Sequence, residues 1–171
     1  GVPLDRVWNF GALDVEFAIG VKAKGLRKEP YLLIAFHPIP GEDSKELDKA
    51  LNNIKCDIIK VGSNEDYGQK YGSEEFPPED YINLMRYAKV CVGNSSSFIK
   101  EASILGVPVV LVGSRQQNRL MPSNVVHVPC EEERITLAIA YQMQNKYKPD
   151  KLYYQPQTSK KICQQLIKEL N

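Results

Sequence analysis

The chain has 171 residues, 43% of them hydrophobic and 25% charged, and a formal net charge of +1. It is long enough to bury one sizeable core and too apolar for disorder, while its balanced charge offers no basic field for nucleic acid. No stretch approaches the roughly 18 apolar residues of a membrane span, no signal peptide is legible, and cysteines at 56, 91, 130 and 163 form no Cys-x-x-Cys pair.

Val7–Phe10 reads as a short strand ending at Gly11, Leu13–Ile19 as a helix, and the polar stretch from Lys22 to Glu29, broken by Pro30, as a linker. Tyr31–Phe36 is an unbroken apolar run, as a central parallel strand requires, and His37 follows at its carboxyl end, where ligands collect in open α/β sheets. Asp43 or Ser44 can cap a helix with Leu47, Ala50, Leu51 and Ile54 on one face, and Cys56–Val61 is the next strand. A turn-rich segment, 62–72, carries Asn64 and Asp66. Phe76-Pro-Pro follows, then a helix headed by Asp80 with Tyr81, Leu84, Met85 and Ala88 on one face.

Val90–Val92 is a short buried-strand run ending at Gly93, and Asn94 to Ser97 supply N-caps for a helix closed by Gly106. The free N–H groups of that helix and three serine hydroxyls make an anion site. A second buried run, Val107–Val112, delivers Arg115 and Arg119 into a loop, and a diphosphate fits between turn and arginines. Val125–Val128 is a further strand, 131–145 a helix with acids in its first turn, 148–156 a linker, and Ser159–Leu170 a last helix. Alternation of strand and helix predicts an α/β fold, a Rossmann-like parallel sheet with helices on both faces. The cysteines read as reduced thiols of a cytoplasmic protein, with Cys91 and Cys163 as small hydrophobes. No P-loop, no Gly-x-Gly-x-x-Gly and no Gly-x-Ser-x-Gly elbow occurs.

Gly-Asn-Ser-Ser-Ser-x-Ile-Lys-Glu at 93–101, Gly-x-Pro at 106–108 and Gly-Ser-Arg-Gln-x-x-Arg at 113–119 together resemble the signature of the hydrolysing UDP-N-acetylglucosamine 2-epimerases, enzymes that open the route to sialic acids. The resemblance extends to Phe-His-Pro at 36–38, Asn-Glu-Asp-Tyr-Gly at 64–68 and Ser-Asn-Val-Val-His-Val at 123–128. It implies the C-terminal half of a two-lobed GT-B-type enzyme: residues 1–28 as a segment connecting to an N-terminal lobe, 29–157 as the UDP-binding lobe, and 158–171 as a helix crossing back. A start at Gly1 without methionine fits a fragment.

The implied ligand is UDP-N-acetylglucosamine or UDP, with no cofactor and no metal; the absent N-terminal lobe is the implied partner, and a homo-oligomer stays open. Ser95 and Ser96 then hold phosphate, Arg115 the diphosphate through its planar guanidinium, and Glu101 both ribose hydroxyls. Asn64 lies near the nucleotide. Phe76 stands where the family binds uracil, and equally suits a core anchor before Pro77. His37 matches the histidine facing diphosphate and sugar, a catalytic role in stabilising the leaving group. Arg119 is as well placed for a surface role, and His127 reads as structural.

The family reaction eliminates UDP with loss of the sugar C2 proton and then adds water to the glycal, giving N-acetylmannosamine. Its proton-moving carboxylates belong to the other lobe, so this chain alone is expected to be inactive. Phe98 and Asn118 replace family glycines, and Phe98 is expected to narrow the sugar pocket. The region before Phe76 is also shorter than in the family. A non-catalytic UDP-sugar-binding module and a glycosyltransferase lobe are the alternatives.

Overall fold

A computed structural model describes Leu4, residues 7–62 and residues 71–170. Five parallel strands form one sheet: β1 (Tyr31–Ala35), β2 (Asp57–Lys60), β3 (Val90–Gly93), β4 (Val109–Val112) and β5 (Val125–Val128), in the order β2-β1-β3-β4-β5. The unbroken apolar runs of β1, β3 and β4 follow from their central position, since every residue in them is buried. Registers are continuous, with Leu33 beside Cys91 and Ala35 beside Gly93, so β1 and β3 end level with each other.

Side-chain alternation along the strands builds two cores. Leu33, Ala35, Cys91, Val109 and Leu111 face α3 (Pro78–Tyr87) and α4 (Ser96–Leu105), whereas Leu32, Ile34, Val90, Val92, Val110 and Val112 face α2 (Lys45–Asn52) and α5 (Glu132–Gln142). After β1 the chain moves outward to β2, then returns past β1 to β3. That reversal makes the carboxyl ends of β1 and β3 the topological switch point of the sheet, where crevices open.

α1 (Leu13–Gly20) closes a third, smaller cluster in which Val15, Ala18 and Val21 meet Ile82 and Ile104. Arg86 donates to the carbonyls of Ala18 and Val21, both at 3.1 Å, and so caps the end of α1. Asp14 pairs with Lys100, tying α1 to α4. α6 (Thr158–Leu170) starts where Glu16 accepts from the Ser159 N–H, and it leaves Leu166, Ile167 and Leu170 exposed.

Several local expectations shift. Residues 7–12 form no strand; the segment instead hydrogen-bonds to the stretch before α6, through Ala12 N–H to Tyr153 carbonyl and the Phe10 carbonyl to Thr158 Oγ1. α3 begins at Pro78 rather than Asp80, because proline suits the first helical turn, where no N–H partner is needed. α5 stops at Gln142, whose side chain is recruited by the Val109 and Asn124 carbonyls.

Gly93 is the position at which backbone conformation decides the fold. Its φ is 144°, and a Cβ there would sit 2.1 Å from the Ala35 carbonyl oxygen. Gly93→Ala is therefore expected to lower stability by more than the ~1–3 kcal/mol of backbone strain alone, whereas Gly20→Ala, with nothing within 4 Å, should be neutral or stabilising. Thermal melts of the two variants decide this, and a Gly93→Ala melt matching the parent would refute it.

Candidate functional site at the sheet switch point

Asn94 follows β3 directly and is completely buried at the crevice floor. Its Oδ1 accepts the His37 N–H at 2.7 Å and its Nδ2 donates to the His37 carbonyl at 2.8 Å, so one side chain fastens the loop leaving β1. Its carbonyl accepts from Arg115 Nη1 at 3.2 Å and from Gln116 Nε2 at 3.0 Å, which fastens the loop leaving β4. Asn94 thus brings His37, the serine turn and Arg115 to one place.

The serine turn caps α4. Ser95 has extended backbone and its Oγ accepts the Ser97 N–H, the arrangement of an N-cap. The positive end of α4 points at the crevice, and the first-turn amide of Ser96 has no intrahelical acceptor. Ser95 and Ser96 are half-buried and present their hydroxyls there, whereas Ser97 is buried and bonded to Tyr81 Oη at 2.7 Å.

Glu101 sits one turn further along α4, only 9% exposed. Among the described residues its Oε2 is buried with no hydrogen-bond partner. Burial pushes the Glu101 carboxyl pKa up, and the neighbouring Lys100 charge opposes this only in part. Buried, unpartnered carboxylates are costly and concentrate at functional sites. Phe76 lies just before α3, partly buried and packed against the same core cluster as Tyr81 and Phe98.

His37 and Arg115 hydrogen-bond Asn94, Ser95 and Ser96 follow it in the chain, Glu101 lies on α4 and Phe76 just before α3. Asn64 falls outside the described residues. Arg119 is exposed in the turn after Gln116, and His127 donates from Nε2 to the Gly113 carbonyl at 2.7 Å, a structural bond on the edge strand. Phe98 overturns one expectation: it is fully buried among Leu84, Met85 and Leu111, so it fills the core beneath α4 rather than narrowing a pocket. Asn118 is exposed.

Asn94, Gln116 and Tyr81 were not singled out as site residues by the sequence pattern. Asn94 reads from sequence as one N-cap candidate among four, and Tyr81 as part of an apolar helix face. Gln116 did lie inside the Gly-Ser-Arg-Gln motif, beside the arginine it accompanies.

Two clefts are lined by other residues. One of 610 Å³ is lined by Glu42, Asp43, Glu46 and Glu131, whose charges would repel an anion. Glu42 also accepts the Ser114 N–H at 2.9 and 3.0 Å, which links the loops after β1 and β4. The other, 540 Å³, lies at the opposite end of the sheet with Arg27, Lys89 and Lys146, next to the negative ends of α3 and α4. Among the described residues no group of His, Cys, Asp and Glu could hold a metal ion, and no helix is long and apolar enough to cross a membrane.

A family model described as UDP-N-acetylglucosamine 2-epimerase matches residues 1–167, and the chain belongs to that family. A Neisseria meningitidis protein named UDP-N-acetylglucosamine 2-epimerase is 35% identical over 67% of this chain and 36% of its own length. The Campylobacter jejuni GDP/UDP-N,N'-diacetylbacillosamine 2-epimerase (hydrolyzing) is 30% identical over 71% of this chain and 40% of its own. Among solved structures, the S. aureus MnaA-UDP co-structure superposes on 100% of this chain and 55% of that one, with a TM-score of 0.68 at 14% identity. The chain therefore spans well under two thirds of the relatives it matches, and its α/β fold is that of GT-B-type epimerases.

Glu101 generates a pH prediction. Because its folded-state pKa is raised, the protonated carboxyl costs the fold nothing, and stability falls as pH rises from the ordinary glutamate range through the raised value. Replacing it by Gln should raise the ligand-free melting temperature at pH 7.5 and leave it unchanged near pH 4. A difference that is constant with pH, or largest in acid, contradicts the assignment.

Proposed function

We propose that this chain is the nucleotide-binding lobe of a hydrolysing UDP-N-acetylglucosamine 2-epimerase, which yields N-acetylmannosamine and UDP. The observation that carries the reading is the Glu101 carboxylate, buried with one oxygen unpartnered among the described residues, on the helix whose N-terminal turn follows the Asn94 carbonyl that binds Arg115. A ribose diol supplies two donors to such a carboxylate, and a diphosphate supplies acceptors to the Ser95 and Ser96 hydroxyls, the helix amides and Arg115. Phe76 takes the uracil face and Asn64 the loop beside the nucleotide. His37, held through its backbone by Asn94, faces diphosphate and sugar and eases departure of UDP.

The hydrolysing subtype rests on the Arg-Gln-x-x-Arg loop and on the relative named as hydrolysing. Elimination of UDP removes the sugar C2 proton, and water then adds to the glycal with inversion at C2. The groups that move those protons belong to an N-terminal lobe, residues 1–28 are the segment that leads from it, and the exposed apolar stripe of α6 is the surface it covers. Free thiols at Cys56, Cys91, Cys130 and Cys163 suit the cytoplasm, where this reaction is placed. Since Phe98 lies in the core, it provides no argument for a degenerate, purely binding lobe.

Calorimetry with UDP and uridine tests the reading. UDP should bind more tightly than uridine, and Arg115→Ala should weaken UDP roughly tenfold or more, as loss of a charged hydrogen-bond partner does. Equal affinity for the two ligands removes the diphosphate assignment. Glu101→Gln should weaken UDP far more than 2′,3′-dideoxy-UDP, and equal losses would remove the ribose assignment.

A further inference from the structure

Three hydroxyls at the start of α4 form a chain with a direction. Tyr81 Oη lies 2.7 Å from Ser97 Oγ, which lies 2.9 Å from Ser95 Oγ. Burial raises the pKa of the Tyr81 phenol, so it keeps its proton and donates it to Ser97 Oγ, the stronger of its two serine partners, Ser95 being the weaker. Ser97 is buried and Ser95 is not, so the inner hydroxyl donates onward to Ser95 Oγ, which also accepts the Ser97 N–H at 3.4 Å. Both acceptor positions of the Ser95 hydroxyl are now occupied, and its own hydrogen has to point away from the cluster.

We propose that Tyr81 is a positioning residue which, through Ser97, fixes the Ser95 hydroxyl as an outward donor to the phosphate of the bound nucleotide. The inference rests on the diphosphate reading of the site. A free serine hydroxyl can present either a lone pair or a hydrogen to its surroundings, and only the hydrogen is useful to an anion. Setting that choice in advance removes an ordering cost from binding. The relay also links two segments that serve different parts of one ligand. Tyr81 stands in the first turns of α3, which follows Phe76 and Pro77, while Ser95 and Ser97 belong to the phosphate turn. The base-binding approach and the phosphate turn are thereby held in one hydrogen-bonded unit.

Tyr81→Phe removes the phenol oxygen and keeps the ring, which packs against the core cluster of α3 and α4. Ser97→Ala breaks the same chain without touching the ring, so the proposal remains testable if either variant folds poorly. Titration calorimetry should show each variant binding UDP roughly two- to tenfold more weakly, the worth of one neutral hydrogen bond. Uridine affinity should stay unchanged. The double variant should be no weaker than Ser97→Ala alone, because both changes interrupt one relay. Unchanged UDP affinity in Tyr81→Phe overturns the proposal, as do equal losses for uridine, which would mark a packing role, and additive losses in the double variant. A parent protein that cannot tell UDP from uridine instead removes the diphosphate reading, and the relay with it. That outcome is distinct from a discriminating parent whose Tyr81→Phe variant loses nothing.

Discussion

The buried side chain of Asn94 is the constraint on which the site depends. Its amide satisfies both backbone groups of His37, and the backbone carbonyl of the same residue is shared by Arg115 and Gln116. Each such bond contributes only about 0.5–1.5 kcal/mol net, but a buried partner left unsatisfied costs about 1–3 kcal/mol. Three loops are therefore locked together or released together. Gly93 makes the contact possible, since only a residue without Cβ lets β3 approach the Ala35 carbonyl closely enough for Asn94 to reach across.

Around this clamp the protein tolerates a local expense. Glu101 keeps a buried carboxylate with an oxygen unpartnered among the described residues, in a helix that buries the apolar Phe98, Ile99 and Ala102 alongside it. A sequence selected for stability alone would place a neutral group there. Retaining the charge makes sense if a ligand completes its hydrogen bonds, and in the proposed site the positive end of α4 and Arg115 are assigned the matching anion-binding half. The acidic cleft beside Glu131 has the opposite electrostatic character.

Strands and their order of appearance were legible because parallel strands buried on both faces need continuous apolar runs, and Tyr31–Ala35, Val90–Val92 and Val109–Val112 carry them. Helix ends were less legible. α3 starts two residues early through Pro78, and α5 ends early because Gln142 turns inward to two carbonyls. Of the residues proposed for the site, those with charge or a motif match are visible in the sequence: His37, Ser95, Ser96, Glu101 and Arg115. What stayed hidden was the hydrogen bonding between segments distant in sequence, through Asn94, Tyr81 and Gln116, because a polar side chain does not announce its partner. Phe98 illustrates the converse, a residue placed beside the site by sequence but directed into the core by the helical turn.

Amide-resolved NMR during titration with UDP tests the central claim most directly, since it reports where the nucleotide sits without presupposing any side chain. The account predicts that the largest shifts fall on Gly93 to Ser97, on Arg115 and Gln116, and on Phe76 and the backbone of His37. Shifts gathered instead around Glu42 and Glu131, or around Lys89 and Lys146 at the far end of the sheet, with the amides of 93–97 unmoved, would contradict it.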